Sequence, residues 1–172
     1  KITPLDRLAY LGNRGMGALE YEPALPAGNI AETVDIATLV RATRAVLAGK
    51  TPEVLQQLYV QGGSPGGARP KVTVALSDDA ATCQSGFNPL PEGYDHWLVK
   101  FRGRDDPPDM GRIEQAYAAM ARLAGVETPE SRLIQARIGR RAEALFATRR
   151  FDRNGNDKRH VLTLSGYLYA SH

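Results

Sequence analysis

The sequence has few residues of the types that cross-link or anchor a protein. Its single cysteine, Cys83, cannot form an intramolecular disulfide, which is typical of a reducing compartment, so we expect a cytoplasmic protein. No apolar run approaches the roughly 20 residues that span a bilayer and no signal-peptide pattern is present, so we expect no membrane partner. The histidines lack cysteine or acidic partners at ligand spacing, which predicts no metal site.

Net charge is also low, at +3 over 172 residues. This value is too small, and the cations too dispersed, to predict direct binding to nucleic acid. A hydrophobic content of 42% is enough for a buried core in one domain with a smaller appendage. Arginine supplies 17 of the 22 basic residues, so Lys71 and Lys100 stand out as lysines. The chain begins at Lys1, and we expect a fragment of a longer protein.

A glycine-rich stretch, Gln61–Lys71, precedes the strand-like run Val72–Ser77. Its eleven residues include four glycines, two prolines, one serine and two cations. Glycine lets backbone N–H groups approach a ligand closely, and successive N–H groups beside cations suit a phosphate. A polar turn is the alternative interpretation. The stretch is not a Walker A loop, because Ala68 and Arg69 stand where that motif needs lysine and serine or threonine.

Hydrophobic periodicity and turn residues predict the elements along the chain. Helices are predicted at Leu5–Leu8, at Val34–Ala48, from Thr51 onward, and at Met110–Ala124. Strands are predicted at Ala18–Glu22, Val72–Ser77, His96–Phe101, Arg132–Ile138, Ala142–Thr148 and Arg159–Leu164, with a loop at Asp78–Asp95 and a hairpin turn at Arg153–Asp157. In the helix that begins at Met110, a shared apolar face is formed by Ile113, Tyr117, Met120 and Ala124.

The order from residue 61 is that of a protein-kinase-like small lobe: glycine-rich loop, strand, strand with lysine, helix, two strands. In that design Lys100 neutralises nucleotide phosphates, Glu114 on the following helix holds the lysine, and backbone groups after the last strand bind adenine. The ordinary alternatives are an edge-strand lysine and a first-turn acid. The predicted fold class is α+β: an antiparallel sheet with one helix over residues 61–172, preceded by a small helical region over residues 1–60.

Four stretches resemble, in the same order, the HipA-type toxins: Pro4–Leu19, Gly62–Lys71, His96–Phe101 and Arg150–Arg153. HipA-like proteins are bacterial serine/threonine kinases of type II toxin–antitoxin pairs, with a fold related to eukaryotic protein kinases and phosphoinositide kinases. The resemblance implies ATP with Mg²⁺ as phosphate donor. It also implies a HipB-like DNA-binding antitoxin, through which any contact with DNA would be indirect, and a protein substrate such as an aminoacyl-tRNA synthetase. The family prototype phosphorylates glutamyl-tRNA synthetase.

The same resemblance implies roles for individual residues. Ser64 resembles a serine that the family autophosphorylates to silence itself. Lys100 resembles the ATP-phosphate lysine and Glu114 its helix partner. The phosphate-binding loop corresponds to Pro65, Gly66, Gly67 and Ala68. Arg149 to Phe151 correspond to the hinge that touches adenine, although Arg149 stands where the prototype has an acidic residue.

One family pattern has no counterpart in this sequence. The catalytic aspartate and the metal-binding residues lie in a C-terminal lobe, in a D-x-H-x-x-N pattern and a later aspartate, and neither occurs before His172. We therefore expect an ATP-binding fragment that is inactive alone, with the C-terminal lobe of the same protein as a partner. Two alternatives stay open: a non-catalytic kinase-lobe module that docks an antitoxin or other partner, and an acyl-transfer enzyme with Ser64 as nucleophile. The second lacks a nucleophile-elbow pattern.

Overall fold

The structure, a computed structural model, describes residues 2–25, 35–49, 69–79, 82–86 and 89–170. These residues form an α+β fold. Its helices are α1 (Pro4–Leu11), α2 (Ile36–Leu47), α3 (Met110–Leu123) and α4 (Leu164–Tyr167). Its strands are β1 (Lys71–Ser77), β2 (Cys83–Ser85), β3 (Tyr94–Lys100), β4 (Ser131–Ile138), β5 (Arg141–Arg149), β6 (Arg153–Asn154) and β7 (Asp157–Lys158).

Five strands form one antiparallel sheet in the order β2-β1-β3-β5-β4, and β6 pairs with β7 in a separate hairpin. The register places Lys71 of β1 opposite Lys100 of β3, and Lys100 opposite Phe146 of β5. Residues directly opposite each other in antiparallel strands project from the same face. The two lysines and the phenylalanine therefore share one face of the sheet.

The hydrophobic core lies on the other face. Val72, Val74 and Leu76 alternate along β1 with residues of the lysine face, and all three are buried. Leu39 and Val40 of α2 are buried in the same cluster, so α2 covers this face. The cluster is completed by Cys83, Trp97, Val99, Phe101, Ile134, Ala136, Leu145 and Ala147.

The α+β prediction is confirmed, as are most of the predicted elements. The helix predicted at Val34–Ala48 is α2, and the helix predicted at Met110–Ala124 is α3. The short helix at Leu5–Leu8 belongs to the longer α1, which begins with a capping box between Thr3 and Asp6. The four strands predicted between residues 72 and 148 are β1, β3, β4 and β5, and the hairpin turn joins β6 to β7.

Two strand predictions and part of one loop prediction are wrong. Ala18–Glu22 alternates in sequence but forms no strand; the backbone of Gly17, just before it, is instead hydrogen-bonded to Asp152 and Arg153. The strand predicted at Arg159–Leu164 does not form: residues 159–163 have no regular secondary structure, β7 ends just before them and α4 begins at Leu164. The predicted loop at Asp78–Asp95 contains β2, which is only three residues long and pairs with β1 at the edge of the sheet.

Some predictions concern residues outside the described ranges. These are the helix from Thr51 and the part of the glycine-rich stretch before Arg69. Among the helices that the structure describes, none combines the length and apolar character needed to cross a membrane.

Candidate functional site

The candidate site centres on Lys100, the last residue of β3, and Glu114, in α3. Their Nζ and Oε2 atoms are 3.2 Å apart. The contact is an ion pair without hydrogen-bond alignment, since Oε2 of Glu114 is buried and accepts no hydrogen bond. The ammonium of Lys100 lies 5.2 Å from the ring centroid of Phe146, its neighbour across the strands. The Lys100 side chain is 33% exposed, so its charge is partly open to a ligand.

Glu114 faces a second cation with its other oxygen. Nη1 of Arg69 lies 3.9 Å from Oε1 of Glu114. Arg69 donates two hydrogen bonds of 2.9 Å, from Nε and Nη2, to the carboxylate of Asp106. Asp106 also accepts a 2.7 Å hydrogen bond from the backbone N–H of Gly103. The hydrogen bonds from Arg69 and Gly103 hold the pKa of Asp106 below its ordinary value. We call Asp106, Arg69, Glu114 and Lys100 the charge chain.

A close approach of α3 to β5 brings Glu114 within reach of Lys100. The first turn of α3 contains Gly111, whose backbone lies directly against β5. A Cβ atom at Gly111 would overlap the carbonyl oxygen of Ala144 and would lie 3.0 Å from the backbone nitrogen of Phe146. Only glycine fits at this contact without a shift of the helix or the strand.

We therefore expect Gly111→Ala to lower the free energy of unfolding by about 1 to 3 kcal/mol, because the added methyl group meets backbone atoms that cannot rotate away. Urea unfolding followed by the fluorescence of Trp97 measures the loss. The matched control is Ala116→Ser, which adds one atom at an exposed position of the same helix. Equal stability of Gly111→Ala and the control would contradict the close packing of α3 on β5.

Arg149 and Phe151 lie at a different part of the sheet. Arg149 is three residues further along β5 than the residue opposite Lys100, or about 10 Å along the strand. Its guanidinium donates a 2.6 Å hydrogen bond to Asp95. Phe151 is 58% exposed. Both line an open cleft of about 430 Å³ together with Arg150 and residues Glu127–Glu130. An exposed aromatic ring beside a cleft offers a stacking surface for a planar ligand.

Asp152 is the centre of a buried ion-pair network beside this cleft, and it has no solvent exposure. It accepts hydrogen bonds from Arg150 at 2.6 and 2.9 Å, from Arg153 at 2.8 Å and from the backbone N–H of Gly17 at 2.7 Å. Both arginines also donate to the carbonyl oxygen of Gly15. Burial raises the pKa of Asp152, but the hydrogen bonds from Arg150 and Gly17 outweigh it and the pKa lies below its ordinary value.

His96 is buried next to the same arginines. Burial, followed by the positive charges of Arg150 and Arg153, lowers its pKa from 6.5 to about 4. Its Nδ1 atom has no hydrogen-bond partner, and its carbonyl oxygen accepts the backbone N–H of Arg150. The imidazole is therefore neutral in the folded protein near neutral pH.

This shift predicts a pH-dependent stability. The unfolded chain takes up a proton at His96 near pH 6.5, while the folded chain does so only near pH 4. The free energy of unfolding should therefore fall by roughly 2 to 3 kcal/mol as the pH is lowered from 6.5 to 4. Urea unfolding at several pH values measures this slope. His96→Gln should flatten it and the exposed control His160→Gln should not; an unchanged slope in His96→Gln would contradict the prediction.

The structure brings together only some of the residues predicted for the site. Lys100 contacts Glu114, whereas Arg149 and Phe151 lie together at the cleft. Ser64, Pro65, Gly66, Gly67 and Ala68 lie outside the described residues, so their roles stay predictions.

The sequence analysis gave no individual role to Arg69 and Asp106 of the charge chain or to Asp152 and Arg153 of the buried network. Arg69 lies near the end of the glycine-rich stretch, and Asp106 lies in a charged turn with two prolines. The signal that could have pointed to a buried network is the run of three arginines and one aspartate over residues 149–153, which is unusual next to a buried strand. Within the described ranges, no group of three or more histidine, cysteine, aspartate or glutamate residues is placed to hold a metal ion.

Comparisons with known proteins identify the family. Neither a curated protein nor a solved structure matches the chain significantly. A family model described as the HipA-like C-terminal domain matches residues 63–172, which is more than half of the chain. The match includes the Lys100–Glu114 pair, Arg149 and Phe151. The chain therefore belongs to the HipA-like family.

Proposed function

We propose that this chain is the nucleotide-binding small lobe of a HipA-like serine/threonine kinase, and that the complete protein transfers the γ-phosphate of ATP to a serine of a protein substrate. The family match supports this proposal. The observation that carries it is the Lys100–Glu114 ion pair at 3.2 Å, which joins a strand lysine to a helix carboxylate. Kinases use such a pair to orient a lysine towards nucleotide phosphates.

In this proposal each residue predicted for the nucleotide site has a physical task. The ammonium of Lys100 binds the phosphates of ATP, which carry Mg²⁺ with them. Glu114 limits the rotamers that the lysine explores, and the ring of Phe146 supports it from the neighbouring strand. The backbone from Arg149 to Phe151 contacts adenine. Gly66, Gly67 and Ala68 supply backbone N–H groups to the phosphates, and Pro65, which has no backbone N–H, restricts the conformation of the same loop.

The partners of the complete protein are part of the same proposal. They are its own C-terminal lobe, a HipB-like DNA-binding antitoxin, and a protein substrate such as an aminoacyl-tRNA synthetase. Contact with DNA is indirect, through the antitoxin, and the protein acts in the cytoplasm. The family match is what supports this toxin–antitoxin setting.

The experiment that tests the proposal is phosphoryl transfer by the complete protein. The protein is incubated with γ-labelled ATP and Mg²⁺, with and without candidate substrates, and the label on serine is located by mass spectrometry. Lys100→Met should abolish labelling, and Glu114→Gln should reduce it strongly. Arg140→Gln, at the exposed turn between β4 and β5, serves as a charge-matched control that keeps full labelling. Undiminished labelling in Lys100→Met would contradict the proposal.

The proposal also predicts that Ser64 is autophosphorylated and that the phosphate weakens ATP binding. A phosphate of about −2 charge at Ser64 competes with ATP for the cations of the site, Lys100 among them. Ser64→Asp should therefore weaken ATP–Mg²⁺ binding, measured by calorimetry, while Ser64→Ala should retain binding but lose autophosphorylation. Unchanged autophosphorylation in Ser64→Ala would show that another residue is the acceptor.

Our second candidate is a non-catalytic lobe that docks an antitoxin or other partner. The observation that favours it is the exposure of apolar side chains on α3: Tyr117 and Met120 of the predicted apolar face are 67% and 60% exposed, and Leu123, three residues after Met120, is 88% exposed. Exposed apolar side chains that share a helix face are typical of interaction sites. A folded chain that binds no ATP–Mg²⁺ would favour this candidate. Leu123→Asp should then abolish complex formation with the antitoxin in size-exclusion chromatography, while Ala116→Ser should leave it intact.

A further inference from the structure

We infer that Arg69 is a further positioning residue of the nucleotide site, which acts through Glu114 and not by touching the nucleotide. The inference rests on the proposed function. Its basis is the charge chain, in which Glu114 contacts Lys100 with one oxygen and Arg69 with the other, at 3.2 and 3.9 Å. Neither the sequence analysis nor the family resemblance gives Arg69 this role.

The physical need for a second cation follows from the burial of Glu114. Its side chain is only 16% exposed, and its Oε2 atom accepts no hydrogen bond. When phosphates attract the ammonium of Lys100, Glu114 shares its main counter-charge with a strongly anionic ligand. A poorly solvated carboxylate that loses its partner is costly. Arg69 keeps a positive charge beside Glu114, and so lowers the cost of turning Lys100 towards the phosphates.

The geometry of the guanidinium suits this task. Nε and Nη2 of Arg69 are used by Asp106, and Nη1 is left on the side of Glu114. Asp106 is itself fixed by the backbone N–H of Gly103. A planar guanidinium can hold one carboxylate with two nitrogens and face another with the third, whereas the ammonium of lysine cannot reproduce this fork. Arg69 is therefore positioned by one acid while it contacts the other.

The charge chain also links the parts of the fold that form the site. Arg69 lies two residues before β1, and Asp106 lies in the turn between β3 and α3. Lys100 and Glu114 lie on β3 and α3 themselves. A change at Arg69 should therefore reach Lys100 by way of α3, without an added contact to the ligand.

The test is a double-mutant cycle of nucleotide affinity. Calorimetry measures the Kd of ATP–Mg²⁺ for the chain and for the variants Arg69→Gln, Glu114→Gln and the double variant. We expect Arg69→Gln to weaken binding roughly three- to fivefold, the size typical of one partly exposed ion pair. In the Glu114→Gln background the same change should have no effect, because the carboxylate through which Arg69 acts is gone. Non-additivity of this kind marks two residues that act together.

Two further variants distinguish the positioning role of Arg69 from the effect of removing a positive charge or of disturbing the fold. Arg69→Lys keeps the charge but not the fork that holds it between Asp106 and Glu114, and should bind ATP–Mg²⁺ more tightly than Arg69→Gln but more weakly than the unmodified chain. Arg112→Gln removes an exposed arginine from the same helix as Glu114, where it pairs with Asp109, and should bind as tightly as the unmodified chain. Urea unfolding by Trp97 fluorescence confirms that each variant is folded.

The possible outcomes distinguish this inference from the proposed function. If the losses from Arg69→Gln and Glu114→Gln multiply in the double variant, Arg69 acts independently of Glu114 and the inference is wrong, while the proposed function stands. Full binding by Arg69→Gln would also overturn it. If the folded, unmodified chain binds no ATP–Mg²⁺, the proposed function fails and the inference fails with it.

Discussion

Asp152→Ala should lower the free energy of unfolding by about 3 to 5 kcal/mol, the loss expected when one partner is removed from a buried ion pair. Arg150 and Arg153 would keep their charges in a buried pocket without the carboxylate that neutralises them. The backbone N–H of Gly17 would lose its acceptor at the same time. Urea unfolding of the chain, followed by Trp97 fluorescence, measures the change.

The matched control is Asp109→Ala, which removes an aspartate from an exposed ion pair with Arg112. Exposed pairs contribute little, so this variant should change the free energy of unfolding by less than about 1 kcal/mol. A loss of less than about 1 kcal/mol in Asp152→Ala as well would show that the network does not hold Gly15–Gly17 against the segment after β5.

Lys100→Met should weaken ATP–Mg²⁺ binding by the chain about 10- to 100-fold. The variant removes the ammonium that meets the phosphates, and hydrogen bonds to charged groups each contribute about 1.5 to 3 kcal/mol. Methionine keeps an unbranched apolar side chain beside Phe146, so the packing of the strand is retained. Arg69 remains beside Glu114 in this variant and limits the cost of its lost partner.

Calorimetry at fixed salt measures both affinities, and Arg140→Gln controls for the loss of one positive charge at an exposed turn. We expect less than a twofold change in this control. A Lys100→Met variant that binds ATP–Mg²⁺ within twofold of the unmodified chain would contradict the role of the lysine. A loss of equal size in both variants would point to net charge as the cause.

The main elements were predictable because their patterns are local. The alternation in Val72–Ser77 and the spacing of apolar residues in α2 each follow from which side chains face the core. The turn between β4 and β5 was marked by Gly139, whose φ of +61° favours glycine. Periodicity does not say what covers a helix face. It could not decide whether Tyr117 and Leu123 of α3 are buried in the protein core or exposed, and both are exposed.

The buried network could not be predicted from local patterns. Asp152 and Gly17 are 135 residues apart in the chain, and their hydrogen bond depends on the tertiary structure that brings these two segments together. The same contact holds the residue just before Ala18–Glu22, which alternates without forming a strand. Tertiary contacts override local strand propensity where a segment is held by buried polar groups.

Only part of the candidate site was predictable, because the order of elements along the chain predicts some contacts and not others. The order of strand, lysine and helix predicted that Lys100 and Glu114 could meet, and they are 3.2 Å apart. Arg69 and Asp106, 37 residues apart, meet only because the turn after β3 passes beside the start of β1. Sequence order therefore predicted the central pair but not the outer half of the charge chain.

Covalent labelling with an acyl-phosphate derivative of ATP tests the central claim most directly. An amine that lies beside the nucleotide phosphates attacks the acyl group, forms an amide and releases ATP, and mass spectrometry then identifies the labelled lysine. We predict that Lys100 is labelled and that excess ATP–Mg²⁺ suppresses this labelling, while any labelling of Lys158, which pairs with Glu20 away from the sheet face, is unaffected by ATP. Absence of ATP-protected labelling at Lys100 in the folded chain would contradict the proposal that this lysine binds nucleotide phosphates.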